Sequence, residues 1–487
     1  MFKNLLFMSL IVLTVSVSAS LTCLGSDSHP TGGLSPREVI NLGEDPNPPE
    51  KLLSSAYTSA EEVLIAGLES LASEIDLTSF YIPKEQFGDW LFDTLYKYPH
   101  IFYATTAACY SNNGYVTRIL PEYAYPKDVI LSMKAEYDEA FEKAIDAIPK
   151  GLSETETVLA VNDWLATHIA YDHTVTKYDA YTAFVEKTTV CQGYALAFIA
   201  FMNELGMESV YVASEPMNHA WNLVKVNGEW YHVDVTWNDP SPDTKGAAYH
   251  SYLLLSDAEI NDSEHNHYGW DTSVPDATST TYDNYFWEDV EAPFIYTEKG
   301  WLYVSSPAGT EHTISSYDFQ NNTSTVVHSF SATWYTNTGG YWIVSPLIAG
   351  YKNKVYYTAG HKIYSVNFDG TDEQVFIDES NLPVGQEIYG MYIEGNMLTY
   401  SVKDSPTGET IKKISVKLPA IRGNGDINGD NAVDLIDVWS LLRRIAWNMP
   451  IDENSADVNL DNTIDMEDVL TIRQFIVGLN SYLPTAS

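Results

Sequence analysis

Near the C-terminus one pattern of oxygen side chains occurs twice in the same register. Asp426, Asn428, Asp430, Asp434 and Asp437 fill positions 1, 3, 5, 9 and 12 of a loop, and Asp457, Asn459, Asp461, Asp465 and Asp468 repeat it 31 residues later. This is the ligand order of a helix–loop–helix calcium site, whose position 7 contributes a backbone carbonyl, here that of Ala432 and of Thr463. Ca²⁺ takes six to eight oxygens, so the pattern implies two bound ions. Asn431 and Asn462 stand at position 6, where the chain turns sharply and Asn tolerates the left-handed conformation. Apolar residues at helical spacing follow each loop: Val438, Leu441, Leu442 and Ile445, then Val469, Ile472, Phe475 and Ile476. A merely solvated acidic tail would not repeat ten ligands in matching register.

The duplicated loop–helix pair, with Asp at position 12, resembles a type I dockerin over about residues 422–483, within a C-terminal segment 420–487. The resemblance implies a small all-α, EF-hand-type domain that folds on binding calcium. It also implies docking to a cohesin module of a scaffold protein in a cellulosome-type assembly. In many dockerins, loop positions 10 and 11 carry matching contact pairs. Here they are Leu435-Ile436 and Met466-Glu467, which differ, so a symmetric two-way binding mode is not implied.

The remaining charge argues against some partners. The 487 residues carry 66 acidic and 26 basic side chains, a formal charge of −40. That excess repels phosphate backbones and anionic lipid, so nucleic acid is not expected as a partner. With 45% hydrophobic residues the chain can build large cores. Its N-terminus reads as a secretory signal, residues 1–22. Lys3 precedes an apolar run Leu5–Val17, too short for an ordinary membrane span, and Ser18, Ala19 and Ser20 form a cleavage zone. An uncleaved anchor or a lipidated Cys23 are the alternatives, though Ser20 stands where a lipoprotein signal usually has Leu. A secreted chain, extracellular or in a cell-surface complex and monomeric within its assembly, fits this reading. The three cysteines, Cys23, Cys109 and Cys191, are too few for a disulfide scaffold.

Residues 23–50, rich in Pro, Gly, Asp and Ser, read as a linker, and 51–150 as a helical N-terminal cap with an aromatic cluster at 96–103. Ser153 and Glu156 form a capping box that opens a helix. Thr189 and Gln192 form a second box, opening a helix that Gly206 stops near Leu205. Beyond residue 207 the period changes to two, and Asn227-Gly228 marks a type I′ hairpin between 219–226 and 229–237. Residues 286–419 read as a β-rich, propeller-like region, strand-like throughout from about 292 to 418. Three similar segments begin at Ile314, Ile363 and Ile411, 49 and 48 residues apart, as in propeller blades. Three units do not close a propeller, so a partial array or a sandwich is expected.

Within this frame one constellation carries chemistry. Cys191 falls on the second residue of the helix capped by Thr189, where N–H groups and the helix dipole favour a thiolate. His219 and Asp234 lie on opposite arms of the hairpin, on one sheet face and diagonal to each other, so the carboxylate can orient the imidazole and the imidazole can serve the thiol. Cys191 also shares a helix stripe with Tyr194, Ala195, Phe198, Met202 and Leu205, which by itself would describe a buried structural Cys.

Val190-Cys-Gln-Gly-Tyr-Ala195, His219-Ala-Trp-Asn222 and Trp230-Tyr-His-Val-Asp234-Val-Thr-Trp-Asn238 resemble the bacterial transglutaminase-like domain, a papain-related superfamily with a Cys-His-Asp triad. The resemblance covers about 150–260, within a catalytic domain 151–285. It includes Asn162-Asp-Trp-Leu and Tyr252-Leu-Leu-Leu-Ser-Asp257. It implies Cys191 as nucleophile, His219 as base and Asp234 as orienting carboxylate, acting on an amide of a protein or peptide substrate. The family includes peptidases, transglutaminases and amidases that remove N-glycans. The backbone N–H of Cys191 is the natural first oxyanion donor. The chain as a whole is therefore expected to be multidomain α+β: a papain-like core, a helical N-terminal region, an all-β repeat region and the dockerin. Peptide hydrolysis is the first functional expectation and protein cross-linking the second. A non-catalytic component whose β region holds polysaccharide or cell wall is the third. No pair of carboxylates across a cleft suggests a glycosidase. His250, His265 and His267 lack metal-ligand spacing. A Cys109–Cys191 disulfide would block the nucleophile. Trp301, Trp334 and Trp342 are read first as core, and second as platforms for sugars.

Overall fold

The computed structural model describes residues 39–45, 59–297, 299–342, 344–418, 424–430, 432–447, 449–451, 453–459, 463–477 and 483. The signal segment, Cys23, most of the linker, and Asn431, Asp461 and Asn462 lie outside the described residues. No described helix is long and apolar enough to cross a membrane. The chain divides into two compact units: Met391 and the residues before it together with Val402–Ile411, and Tyr392–Ser401 together with Lys412 onward.

The N-terminal region is not simply helical. Strand β1 (Val39–Glu44), helix α1 (Ala60–Glu69), β2 (Ile75–Asp76), α2 (Phe87–Lys97), β3 (Ala104–Asn112), β4 (Tyr115–Tyr123) and α3 (Lys127–Asp146) alternate. They form a four-stranded sheet in the order β1-β3-β4-β2. β1 pairs in parallel with β3, so part of the segment read as a linker is a sheet strand. The β3–β4 hairpin turns at Asn113 and Gly114, both at positive φ, as a type I′ turn demands. Every second residue of β3 from Ala107 is buried, Ala107 and Cys109 in one cluster with Leu64, Leu68, Phe87 and Leu91.

The next elements are α4 (Glu154–His168), β5 (Ala170–Tyr171), α5 (Ala180–Phe184), β6 (Thr188–Thr189) and α6 (Cys191–Glu204). After them come β7 (Ser209–Ser214), β8 (His219–Val226), β9 (Glu229–Val233), α7 (Val235–Asn238), β10 (Leu253–Leu255) and α8 (Asp257–Ile260). The capping box at α4 forms as expected: the Ser153 hydroxyl accepts from the Glu156 N–H, and the Glu156 carboxylate accepts from the Ser153 N–H. The sheet runs β10-β9-β8-β7. α6 is buried from Cys191 to Met202 because α4 and α5 pack on it together with β7 and β8. A helix apolar all round is a core helix.

The β region forms open antiparallel meanders. β11 (Ile295–Thr297), β12 (Gly300–Ala308), β13 (Glu311–Asp318) and β14 (Thr323–Ser331) make one sheet. β15 (Trp334–Tyr335) and β16 (Tyr341–Trp342) make a two-stranded ribbon. β17 (Ile348–Tyr351), β18 (Lys354–Ala359), β19 (Lys362–Asn367) and β20 (Gln374–Asp378) make a second four-stranded sheet. β21 (Glu387–Glu394), β22 (Met397–Lys403) and β23 (Lys412–Lys417) make a three-stranded one. The three similar sequence segments fall on β13, β19 and β23, in each case the third strand of its sheet. The repeat is therefore a repeat of meanders. Trp301 and Trp334 are core residues, and Trp342 is exposed.

The C-terminal unit holds α9 (Leu435–Trp447), α10 (Glu453–Ala456) and α11 (Met466–Ile476). α9 and α11 close on Leu441 and Ile472, with Ile427, Val438, Val458 and Val469 around them.

Candidate active site

The segment before α6 presents Cys191, though not by the expected cap. Thr189 does not cap the helix. Val190 is the N-cap, so Cys191 is the first helical residue rather than the second. Thr189 turns inward, donating to the Lys177 carbonyl and accepting from the Thr182 hydroxyl, both at 3.1 Å. Gly193 makes this possible, since a Cβ there would lie 1.8 Å from Thr189 Oγ1. The Lys177 carbonyl also accepts the Val190 N–H at 2.9 Å. Lys177 ends a turn held by Asp172, whose carboxylate accepts the N–H groups of Thr174, Thr176 and Lys177 at 2.8–3.1 Å. Burial alone would raise the Asp172 carboxyl, but these bonds and the two Thr hydroxyls bring it down to about 2. The same turn holds Val175 at φ +53°, a costly conformation for a β-branched residue. The helix start keeps its dipole and its orphan N–H groups at Cys191.

The hairpin supplies the other two groups. Asn227 and Gly228 have φ +53° and +88°, giving the expected register, with Val226 opposite Glu229 and Asn222 opposite Val233. The ladder with β9 ends there. Asp234 leaves the strand and caps α7, its Oδ1 accepting the N–H groups of Thr236 at 2.9 Å and Trp237 at 3.3 Å. Its Oδ2 accepts from His219 Nε2 at 2.6 Å. With Nε2 engaged, Nδ1 is the nitrogen left to serve the thiol, and the Cys191 charge acts on the ring. Burial pushes the His219 imidazole down, yet the charges of Asp234 and Cys191 outweigh it and lift the ring to about 10. Burial likewise raises the Asp234 carboxyl, but His219 and His267 hold it well below the usual carboxylate range.

Aromatic packing fixes the imidazole. Trp221 and Trp237 lie 5.7 and 5.4 Å from the His219 ring. Trp221 is itself anchored, donating to His232 Nδ1 at 2.9 Å, while His232 Nε2 meets Asp257 at 2.8 Å. The site is closed, with Cys191 only 1% exposed and His219 7%. Tyr211 packs against Cys191, Ala195 and Ala220. It also lines a cleft of about 950 Å³ whose walls include Trp90 and Trp270.

Several residues that made the sequence recognisable are scaffold. Asn238 donates to Asn162 at 2.8 Å and accepts the Tyr252 N–H at 3.0 Å. Asp163 meets His250 at 2.7 Å and accepts the Phe294 N–H at 2.7 Å. Tyr194 donates to Asp239, and Asn222 to the Ala195 carbonyl at 3.1 Å. Cys109 is a free, buried thiol on β3, and no disulfide joins it to Cys191.

The three histidines set aside for metal do not converge. His250 is bound to Asp163, and His265 to Asp262 at 3.1 Å. His267 behaves otherwise: its Nε2 lies 2.9 Å from the same Asp234 Oδ2 that His219 uses. Nothing in the sequence marks this contact, which joins residues 33 positions apart through an irregular segment.

In the tail, Asp437 and Asp468 are fully buried. Asp437 accepts the N–H groups of Ile427, Asn428 and Asp434 at 2.6–3.1 Å. Asp468 repeats this with Val458, Asn459 and Asp465 at 2.9–3.3 Å. Among the described residues neither carboxylate pairs with a basic side chain, and burial pushes both carboxyls up. Two buried acids in all-oxygen loops fit a hard divalent cation. Leu435, Ile436 and Met466 are exposed at 67%, 55% and 48%, and Glu467 is exposed beside them.

The family model of the transglutaminase-like superfamily matches residues 143–235, and that of the type I dockerin domain matches residues 424–477. Kyphoscoliosis peptidase of Mus musculus is 25% identical over 166 residues, 28% of this chain and 25% of the relative. Its Homo sapiens counterpart is 24% identical over the same shares. The match thus spans a quarter of the length of these relatives. A solved TGase structure shares 17% identity over 27% of this chain and 44% of its own, with a TM-score of 0.20. The chain thus combines a domain of the transglutaminase-like superfamily with a C-terminal type I dockerin domain.

Proposed function

We propose that this chain is a cellulosome-type subunit that hydrolyses amide bonds of proteins through Cys191, His219 and Asp234. The observation that carries the reading is the His219 ring, held by Asp234 at 2.6 Å through Nε2, which leaves Nδ1 for Cys191, whose charge helps to lift the ring. In this mechanism the Cys191 thiolate attacks the carbonyl carbon. The oxyanion forms against the Cys191 N–H at the helix start. His219, as imidazolium, gives its Nδ1 proton to the leaving amine, and a thioester remains on Cys191. Neutral His219 then takes a proton from water as that water attacks the thioester, releasing the acid and restoring the thiolate.

Transamidation is the second reading, favoured by the closure of the site. A thioester on a thiol 1% exposed is shielded from bulk water, so an amine bound within the site would take the acyl group in its place. The dockerin implies docking to a cohesin. On this reading Leu435, Ile436, Met466 and Glu467 meet the cohesin. One calcium ion would sit among Asp426, Asn428, Asp430, Ala432, Asp434 and Asp437, the other among Asp457, Asn459, Asp461, Thr463, Asp465 and Asp468. Bound calcium would supply the cation that the buried carboxylates need. Secretion as an extracellular or cell-surface component belongs to the same reading.

The test is incubation of wild type and Cys191→Ala with mixed extracellular proteins, with and without a primary amine, read by mass spectrometry. New peptide termini that depend on Cys191 support hydrolysis. Amine incorporation without cleavage would replace it with transamidation. Inertness of both forms would leave a binding component and sink the catalytic reading.

A further inference from the structure

Asp234 Oδ2 is shared between two imidazoles, His219 Nε2 at 2.6 Å and His267 Nε2 at 2.9 Å. With Thr236 and Trp237 on Oδ1, the carboxylate has four donors. We infer that His267 is a positioning residue of the active site, the outer member of a Cys191–His219–Asp234–His267 chain. It pins the carboxylate that orients the catalytic imidazole. This role rests on the catalytic reading above.

His267 is fully buried among Trp221, Trp237 and Tyr252, whose rings lie 4.8, 4.4 and 5.4 Å away. Such a cage allows the ring little freedom. Its Nδ1 lies 2.9 Å from the His265 carbonyl, an acceptor only, and its Nε2 faces a carboxylate, also an acceptor. Burial and the neighbouring His219 charge push the ring down, while Asp234 and the carbonyl pull it up, and the balance lies below the ordinary value. Near neutrality the ring then holds one proton. The carboxylate is the stronger acceptor in a dry site, so that proton sits on Nε2. His267 therefore donates to Oδ2 whether singly or doubly protonated. The titratable groups around the pair are His219, Asp234, Cys191 and Tyr252, with Tyr171 beyond Cys191.

Two consequences separate this role from simple packing. A second donor on Oδ2 weakens the pull of Asp234 on the His219 proton, so losing it makes His219 a weaker acid. It also fixes the rotation of the carboxylate, so losing it loosens His219 toward the thiol. A Gln side chain can place an amide N–H where His Nε2 stands, whereas Leu cannot donate.

The test uses the full chain and needs no substrate: iodoacetamide alkylation of Cys191, read by peptide mass from pH 5 to 10, for wild type, His267→Gln and His267→Leu. His267→Leu is expected to slow alkylation at pH 7 about tenfold and to displace the alkaline inflection upward, while His267→Gln stays within about twofold of wild type. Ring ¹⁵N–¹H spectra of the wild type should show two imidazole N–H protons bonded to one carboxylate, both lost in Asp234→Asn; this arm holds even if His267→Leu fails to fold. A folded His267→Leu with unchanged rate and profile would overturn the role. So would a His267→Gln as slow as His267→Leu, or a spectrum with a single such proton. A wild-type thiol no faster than a small-molecule thiol would instead overturn the nucleophile reading, while the spectra still report whether His267 donates to Asp234.

Discussion

On the His219 ring, desolvation and charge pull in opposite directions, and charge prevails. Because the ring is lifted from its ordinary 6.5 to about 10, its protonated form stabilises the folded site. That contribution is complete below pH 6.5 and is lost as pH rises toward 10. The melting temperature should therefore fall over that window more steeply in wild type than in His219→Gln, as thermal scans at stepped pH would show. In the proposed mechanism the same ring gives its proton to the leaving group, so the alkaline limb of kcat/KM should lie close to 10. Asp234→Asn keeps the shape of the carboxylate but not its charge, and should reduce kcat by about 10²–10⁴-fold in steady-state assays. At this scale the sequence was legible where roles are local. Cys191 before an apolar helix, and His219 and Asp234 on a two-residue hairpin, could be placed by counting. His267 could not, because its partner is reached through tertiary packing with no period to follow.

At the scale of elements, the start of α6 shows how a motif serves geometry. The glycine of Val190-Cys-Gln-Gly admits Thr189 against the helix, and Thr189 ties that start to the Lys177 carbonyl. Gly193→Ala should cost about 1–3 kcal/mol by overpacking and slow Cys191 alkylation, measured by denaturant melts and labelling. Ser153→Ala, which removes a capping box from α4, should cost about 1 kcal/mol and leave the labelling rate unchanged. Thr189 is also where the sequence misled: its spacing to Gln192 fits a capping box, but the hydroxyl finds Lys177 and Thr182, and Val190 takes the cap position. The N-terminal region hid its sheet in a similar way. Asn113-Gly114 carries the same turn signal as Asn227-Gly228, and β3 alternates as a half-buried strand does. Helical patterns on either side drew the whole segment toward helix. β1 had no such signal, since a short strand with an exposed face is specified by its neighbour β3.

At the scale of the whole molecule, the two proposed functions rest on different parts of one chain and should fail independently. Chelating calcium should unfold the tail and abolish cohesin binding while Cys191 labelling persists, as circular dichroism, a pull-down and mass spectrometry on one sample would show. Loss of labelling together with the tail would contradict that independence. Leu435→Asp with Ile436→Asp should weaken cohesin binding by about 10–100-fold in calorimetry without altering calcium affinity. The charge of −40 is consistent with this division. Eleven acids lie beyond residue 420, and eight of them are Asp at the repeated loop positions; the other 55 are spread over the rest of the chain, the buried Asp163, Asp234 and Asp239 among them.

On the proposed mechanism an acyl group passes through Cys191. Rapid acid quenching of the full chain during turnover of an ester or peptide substrate, followed by peptide mapping, tests it directly. An acyl adduct is expected on Cys191, none on Cys109, and none in Cys191→Ala, which should lose at least about 10³-fold in turnover. Undiminished turnover in Cys191→Ala, or an adduct on another residue, would contradict it.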